Sequence, residues 1–202
     1  MEHDNTRYII LASGSPRRRE LLASLGLPFE VLVSEADEST PPEWTPETIV
    51  RNLAVRKAEA VIPAAGDRDA VIVGSDTIVV LDDKVLGKPV DEQDSAKMLA
   101  MLQGRTHQVY TGAACIGLAE GRTLVDHRVT SVTMRAMSED EICAYIATGE
   151  PADKAGSYAI QGLGATLVDE IEGCYFNVVG LPLSLLSGML SGFGISVLNR
   201  QG

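Results

Sequence analysis

The fold class follows from the stretch Tyr8-Ile-Ile-Leu-Ala-Ser-Gly-Ser-Pro-Arg-Arg-Arg-Glu-Leu-Leu22. Its first four residues predict a short buried strand, and Ser13-Gly14 predicts a tight loop. Ser15-Pro16 predicts the N-cap and the first residue of a helix. A strand, a loop and a helix in direct succession are typical of an α/β protein.

Three consecutive arginines, residues 17–19, stand in the first turn of that helix, where the helix dipole disfavours cations. Free backbone N–H groups at a helix start attract phosphate, and arginine adds forked donors that match phosphate oxygens. The segment therefore indicates a phosphate site. A solvated basic helix end would use the same residues, and this segment alone leaves both interpretations open.

Length and composition limit the classes of protein. With 202 residues, 45% of them hydrophobic, the chain can bury a core. We expect one domain over residues 1–202, built as two lobes, with a disordered polar N-terminus over residues 1–7. The net charge of −11 argues against a nucleic-acid partner, because binding to phosphate backbones needs clustered Lys and Arg.

The cysteines and the hydropathy bear on the compartment. Cys115, Cys143 and Cys174 are far apart and form no CxxC pair, which predicts a reducing cytosol and small core residues. No apolar run approaches the ~20 residues of a membrane span, and no signal peptide is recognisable. We therefore expect a cytoplasmic protein without membrane contact.

Further strand patterns predict a mixed sheet. Residues 70–81 are apolar and rich in β-branched side chains, interrupted only by Gly74-Ser-Asp-Thr77, which predicts a central strand covered on both faces. Residues 107–118 and 123–134 form two strand patterns joined by a turn, which predicts an antiparallel hairpin. Near the C-terminus, residues 165–171 and 175–179 are expected to form a closing strand pair. Helices are predicted after Thr45-Pro46, before Gly104, after Ser138 and over Leu183–Leu190.

Charged residues stand where apolar ones are expected. Asp76 lies in the apolar strand, so it needs a cation, a hydrogen-bond network or a catalytic role. Capping of a neighbouring loop would be a structural alternative. Lys57 falls on the apolar face of its helix, so it must reach the surface or point into a polar cleft. Lys57 and Lys88 could each pair with Asp76 or Glu38, or bind a phosphate chain, and the sequence does not separate these roles.

Two carboxylates and two hydrogen-bonding side chains complete the candidate site. Glu38 and Asp76 could together hold Mg²⁺ or Mn²⁺, which takes one or two carboxylates and completes its shell with water and substrate phosphates. For Glu38 taken singly, a solvated acidic loop is an equal alternative. Thr77 and Gln161 could bind a base edge or satisfy loop backbone. The chain lacks GxxxxGK[ST], GxGxxG after a strand, HExxH and GxSxG, so P-loop, Rossmann, zincin and α/β-hydrolase interpretations lack their main evidence.

Six motifs in order along the chain closely resemble the Maf family of nucleoside triphosphate pyrophosphatases. They are Leu11-Ala-Ser-Gly-Ser-Pro-Arg-Arg18, Gly74-Ser-Asp-Thr77, Leu86-Gly-Lys-Pro89, Asp153-Lys-Ala-Gly-Ser-Tyr158, Ile160-Gln-Gly162 and Val179-Gly-Leu-Pro182. The resemblance implies an elongated mixed sheet with flanking helices, divided into two lobes around a central nucleotide-binding cleft. It also implies a homodimer and a divalent metal, Mg²⁺ or Mn²⁺.

The resemblance also implies a branch of the family and roles for its residues. Gly74-Ser-Asp-Thr77 followed by Ile160-Gln-Gly162 is similar to the branch that acts on dTTP and UTP, not the branch that acts on 7-methyl-GTP. Asp76 matches the family's proton acceptor. The matching specificity positions are Arg17, Thr77 and Gln161. The other positions expected around phosphates and metal are Ser13, Arg18, Glu38, Lys57 and Lys88.

The function implied is metal-dependent hydrolysis of dTTP and UTP to the monophosphate and pyrophosphate, with modified pyrimidine nucleotides as further substrates in a house-cleaning role. An alternative is a nucleotide-binding regulator of septum formation that acts through a division-machinery partner, with hydrolysis incidental or absent. Release of pyrophosphate separates the two, because a binding module does not need Asp76 as a base.

Overall fold

The computed structural model describes residues 7–198. Residues 1–6 of the N-terminus predicted to be disordered therefore lie outside the described residues. Arg7, the first described residue, forms ion pairs with Asp69 and Glu120. None of the helices within residues 7–198 is long and apolar enough to cross a membrane.

Strands and helices alternate along the chain. The strands are β1 (Tyr8–Leu11), β2 (Phe29–Val31), β3 (Ala70–Leu81), β4 (Lys84–Leu86), β5 (Thr106–Gly117), β6 (Arg122–Met134) and β7 (Val168–Glu172). The helices are α1 (Pro16–Ser24), α2 (Pro46–Glu59), α3 (Ile62–Ala65), α4 (Glu92–Leu102), α5 (Glu139–Ala147), α6 (Tyr175–Val179) and α7 (Leu183–Ser191). Short 3₁₀ turns cover Glu150–Asp153, Ala155–Ser157 and Gly162–Leu167.

The strands form one mixed sheet in the order β2-β1-β3-β5-β6-β7, with β4 added to β3. Strand β1 pairs in parallel with both β2 and β3, and Ile10 lies opposite Ile72. Strand β4 is antiparallel to β3, and β7 is antiparallel to β6. The predicted mixed α/β sheet with flanking helices is therefore confirmed.

The chain divides into two compact units. The first unit contains Met1–Asp76, Thr111–His127 and Gly180–Gly202, and the second contains Thr77–Tyr110 and Arg128–Val179. Within the first unit, β1 is buried along Ile9–Leu11, as expected of a strand with parallel neighbours on both sides. The end of α2 and the short α3 pack there on β1 and β3, through Ile10, Ala12, Ala58, Val61, Ala65, Ala70, Ile72 and Ile116.

The second unit has its own apolar core. Helices α4 and α5 contribute Leu99, Leu102, Ile142 and Tyr145, which cluster with side chains of β3, β5 and β6. The other buried members are Val79, Leu81, Leu86, Val109, Val132, Met134, Met137, Tyr158 and Leu167. Helix α5 begins with the predicted capping box, because the Ser138 hydroxyl accepts from the Glu141 backbone N–H and the Glu141 carboxylate accepts from that of Ser138.

The predicted closing strand pair is wrong in two places, because residues 175–179 form α6 and not a strand, and residues 165–167 belong to a 3₁₀ turn, so that β7 begins only at Val168. Gly173, with φ 131°, ends β7, and the Cys174 carbonyl then accepts a helical hydrogen bond from Asn177 N–H. The buried Asn177 side chain donates to the Val109 carbonyl at 2.9 Å and to Thr130 Oγ1 at 3.0 Å. These hydrogen bonds to β5 and β6 favour a helical conformation of residues 175–179 over an extended strand.

The cysteines also depart from prediction. Cys115 is buried, and burial raises its pKa to about 12, but Cys174 is half-buried and Cys143 is exposed. The prediction of small core residues is thus wrong for Cys143. All three are free thiols, as the spacing predicted.

Candidate active site

The start of α1 has the predicted local structure. Ser15 is the N-cap, its hydroxyl accepts from the Arg18 backbone N–H at 3.5 Å, and Pro16 occupies the first helical position. The buried Ser13 hydroxyl accepts from the Ser15 N–H at 3.2 Å, which holds the turn between β1 and α1. Arg17, in the first helical turn, is half-buried. Backbone donors and guanidinium groups therefore share one helix start, as a phosphate site requires.

The Arg18 side chain is fixed by a backbone carbonyl. Its Nε donates to the Gly180 carbonyl at 2.8 Å, and the same oxygen lies 3.0 Å from the buried Ser75 hydroxyl. Burial lowers the pKa of Arg18, while the negative charges of Asp76 and Glu38 oppose that shift. Arginine nevertheless stays charged, because its pKa starts above 12. The motif around Gly180 thus holds Arg18 close to the two predicted carboxylates.

Three predicted residues meet at the Lys57 ammonium group. Lys57 Nζ lies 2.5 Å from Asp76 Oδ1 and 2.8 Å from Glu38 Oε1. The Lys57 and Asp76 side chains are 12% and 9% exposed, whereas that of Glu38 is 56% exposed. Lys57 therefore points into a polar site and compensates a buried carboxylate, one of the two alternatives that the sequence left open.

Two glycines allow α2 to come close enough for this contact. A Cβ atom at position 74 would lie 2.1 Å from the Ala54 carbonyl oxygen, and one at position 112 would lie 2.1 Å from that of Val50. The α2 backbone thus lies directly against β3 and β5. Lys57 follows Ala54 by three residues and so reaches Asp76, two residues beyond Gly74. The sequence placed an interruption of β3 at Gly74–Thr77, but the strand is continuous there.

Arg56 holds the loop that carries Glu38, although no sequence pattern pointed to this residue. Its Nη1 donates to the Ser39 carbonyl at 2.7 Å and to the Asp37 carbonyl at 3.4 Å, on either side of Glu38. The guanidinium also lies 5.2 Å from the centroid of the Trp44 ring, in a cation–π contact. Adjacent residues of α2 thus do two tasks, because Arg56 positions the loop and Lys57 binds its carboxylate.

The remaining predicted residues belong to the second unit. Thr77 is half-buried and follows Asp76 within β3, Lys88 is exposed after β4, and Gln161 is half-buried before a 3₁₀ turn. Within this unit the Gly87 carbonyl accepts from the Gly156 N–H at 3.0 Å. That hydrogen bond joins two of the six motifs, Leu86–Pro89 and Asp153–Tyr158.

The carboxylates suit a hard divalent cation. Glu38 and Asp76 each place an oxygen within hydrogen-bond distance of one Lys57 nitrogen, so the two carboxylates are neighbours. Among residues 7–198 there is no group of three or more His, Cys, Asp or Glu side chains of the kind that forms an all-protein metal centre. Mg²⁺ and Mn²⁺ do not need one, since they bind one or two carboxylates together with substrate phosphates. The residues present therefore fit such an ion.

Comparisons with known proteins agree with the sequence resemblance. A protein-family model described as "Maf-like protein" matches residues 8–193. A Moorella thermoacetica protein named dTTP/UTP pyrophosphatase is 54% identical over 192 residues, covering 95% of this chain and 98% of the relative. A Desulforamulus reducens protein of the same name is 49% identical, covering 95% and 99%. The structure of the Staphylococcus aureus Ham1 protein shares the fold, with a TM-score of 0.53, 14% identity and coverage of 93% and 100%.

Proposed function

Because the chain belongs to the Maf family, we propose that it is a nucleoside triphosphate pyrophosphatase that hydrolyses dTTP and UTP to the monophosphate and pyrophosphate. The similar proteins bear that activity in their names, over nearly their whole length. The observation that carries the proposal is the buried Asp76 carboxylate beside the Lys57 ammonium, at 2.5 Å. A buried carboxylate with an exchangeable cation is suited to take a proton from water.

Asp76 acts as the general base. Water attacks the α-phosphorus in line with the bond to the bridging oxygen of the β-phosphate, and Asp76 takes a proton from that water. The bond between the α-phosphorus and the bridging oxygen breaks, so pyrophosphate leaves with its electron pair. The products are a nucleoside monophosphate and pyrophosphate.

The start of α1 receives the phosphate chain. Ser13, Arg17 and Arg18 lie at or beside its first turn, where backbone N–H groups and guanidinium donors both favour phosphate. Lys57 and Lys88 offset the negative charge that develops on the leaving pyrophosphate. Thr77 and Gln161 read the edge of the pyrimidine, and Arg17 contributes to the choice of substrate.

Glu38 and Asp76 are the residues that would hold Mg²⁺ or Mn²⁺. When bound, such an ion neutralises phosphate charge and makes a coordinated water more acidic. Lys57 keeps the two carboxylates together by binding an oxygen of each. The homodimer and the division-machinery partner stay predictions from the family resemblance, and the cytoplasmic location stays a prediction from the cysteines and the hydropathy.

The test is pyrophosphate release from dTTP, UTP, CTP, 7-methyl-GTP and modified pyrimidine triphosphates, with Mg²⁺ or Mn²⁺. We expect turnover of dTTP and UTP above the rest, with pyrophosphate and monophosphate formed in equal amounts. If the products were orthophosphate and a nucleoside diphosphate, cleavage would occur between the β- and γ-phosphates, which would contradict the proposal. Nucleotide binding without any turnover would support the alternative regulator of septum formation.

A further inference from the structure

The loop that carries Gln161, residues 159–164, is held at its beginning by Tyr145, the buried tyrosine of α5. Tyr145 Oη accepts a hydrogen bond from the Ala159 backbone N–H at 3.2 Å. The same hydroxyl donates to Glu150 Oε1 at 2.8 Å. We call residues 159–164 the Gln161 loop. Its first residue is thus tied to α5 through one hydroxyl group.

The end of the Gln161 loop is held by Glu150, which follows α5 closely in the chain. Glu150 Oε2 accepts from the Leu163 N–H at 3.0 Å, and Oε1 accepts from the Gly164 N–H at 2.8 Å. Since Tyr145 also donates to Oε1, one carboxylate receives three hydrogen bonds. Gln161 lies between the two anchored ends.

The glycines of the loop allow this close packing. Gly162 has φ +63°, and a Cβ atom there would lie 2.7 Å from Glu150 Oε2. At position 164 a Cβ would lie 2.2 Å from the Ala159 carbonyl oxygen and 2.5 Å from Tyr145 Oη. Side chains at these positions would push the loop away from the Tyr145–Glu150 pair. Gly162 and Gly164 therefore allow the loop backbone to pack directly against the Glu150 carboxylate.

Glu150 is itself fixed and ionised. Its backbone carbonyl accepts from Lys154 Nζ at 2.6 Å, which ties it to the motif Asp153–Tyr158. Burial alone would raise the pKa of Glu150, but the donors from Gly164, Tyr145 and Leu163 outweigh burial and lower the pKa below its ordinary value. An ionised carboxylate is acceptor-only, as the three donors require.

We propose that Tyr145 and Glu150 are positioning residues that hold Gln161 in place and thereby set the preference for dTTP and UTP over CTP. The inference rests on the proposed role of Gln161 in reading the base. An amide that distinguishes pyrimidines by donor and acceptor pattern must be held within ~0.5 Å, and a loop achieves this only when its backbone is anchored. A misplaced Gln161 amide no longer favours UTP. CTP does not match the amide in the first place and so loses little, and the preference for UTP over CTP falls.

The experiment compares Tyr145→Phe with wild type in kcat and KM for UTP and CTP. The substitution keeps the buried ring and removes only the hydroxyl. We expect a higher KM for UTP, a kcat within about threefold, and a roughly tenfold lower ratio of kcat/KM for UTP over CTP. Glu150→Gln, which replaces an acceptor oxygen with a donor facing an N–H group, should lower the ratio further.

The control is Ser138→Ala, which removes the N-cap of the same helix but none of the loop contacts. It should lower stability and leave the UTP/CTP ratio unchanged. A ratio that falls equally in Ser138→Ala would overturn the inference, because general loosening of α5 would then explain it.

Gln161→Ala separates the inference from the function on which it rests. A lower ratio in Gln161→Ala with an unchanged ratio in Tyr145→Phe and Glu150→Gln overturns the positioning role alone. An unchanged ratio in Gln161→Ala overturns the base-reading role, and the positioning role with it. A lower ratio in Gln161→Ala and in both positioning variants, with Ser138→Ala unchanged, supports both.

Discussion

Asp76 in the first unit is a buried carboxylate and Glu150 in the second is a half-buried one, and the two are compensated in different ways. Asp76 meets the ammonium group of Lys57, at the end of a flexible four-carbon chain. Glu150 meets two backbone N–H groups and a tyrosine hydroxyl, all fixed by the fold. A cation on a flexible chain can change partner when phosphate arrives, whereas backbone donors cannot. The difference separates a carboxylate available for chemistry from one committed to structure.

Lys57→Met removes the cation that pairs with Asp76 and is expected to lower both stability and turnover. The loss of the ammonium group leaves the buried Asp76 without its ion-pair partner, which should lower the free energy of unfolding by about 3 kcal/mol. Turnover of dTTP should fall by about 10²-fold or more. Urea unfolding and pyrophosphate release measure the two effects.

The double variant Lys57→Met/Asp76→Asn is the control. It should recover most of the stability, since both charges of the buried Lys57–Asp76 pair are gone, and none of the activity. If Lys57→Met were as stable as wild type, Lys57 would not compensate the charge of Asp76, and the contrast with Glu150 would be contradicted.

The pH dependence of stability tests a buried titratable group of the second unit, His107, which serves structure and not chemistry. His107 Nε2 lies 2.7 Å from the hydroxyl of Tyr158, and burial lowers the pKa of His107 to about 4. The unfolded chain, with a pKa near 6.5, binds a proton first as pH falls. Stability should therefore be complete above about pH 6.5 and decrease by about 3 kcal/mol as pH falls to about 4.

His107→Gln should flatten that profile in urea unfolding measured at several pH values. His127→Asn, a substitution at a half-buried histidine, is the matched control and should keep the slope. An unchanged slope in His107→Gln would show that another group is responsible.

Gly74→Ala tests whether the close approach of α2 creates the Lys57–Asp76 contact. The new Cβ would overlap the Ala54 carbonyl, so α2 must shift, which should cost about 2 kcal/mol and lower kcat. Gly188→Ala is the control, because its Cβ meets nothing within 4 Å in α7. That change should stabilise the protein by about 0.5–1 kcal/mol without affecting kcat. Equal kcat in the two variants would contradict the assigned role of α2.

Arg56→Lys should have the smallest effect. Lysine lacks the planar guanidinium, whose Nη1 donates to the carbonyls on both sides of Glu38 and which lies over the Trp44 ring, so the loop becomes less ordered. We expect the Mn²⁺ concentration for half-maximal activity to rise about threefold, with kcat unchanged at saturating metal. Arg51→Lys, at an exposed position of the same helix, should leave both unchanged. A lower kcat at saturating Mn²⁺ would contradict a role limited to positioning.

Local signals explain what the sequence predicted. The N-cap and proline of α1 act within a few residues of the chain, so its start was predictable from Ser15-Pro16. Lys57 and Asp76 each stood out as a charge in an apolar pattern, and the structure pairs them. Their pairing itself depends on how α2 packs against β3, which no local pattern records.

Tertiary contacts explain what the sequence missed. Five residues, 175–179, are too few to show a helical period, and the hydrogen bonds of Asn177 decide their conformation. Arg56, Tyr145 and Glu150 are ordinary residue types whose partners are backbone groups separated from them by 13 to 19 residues. Such partners carry no side-chain signature, so these three residues could not be singled out.

The most direct test of the central claim is single-turnover hydrolysis of dTTP by wild type and Asp76→Asn at saturating Mn²⁺. Binding of an α,β-imido analogue of dTTP is measured beside it. Asp67→Asn, at an exposed position of the first unit, controls for the loss of a carboxylate. We predict that Asp76→Asn binds the analogue with an affinity close to that of wild type and hydrolyses dTTP about 10³-fold more slowly. Turnover within tenfold of wild type would contradict the claim that Asp76 is the base.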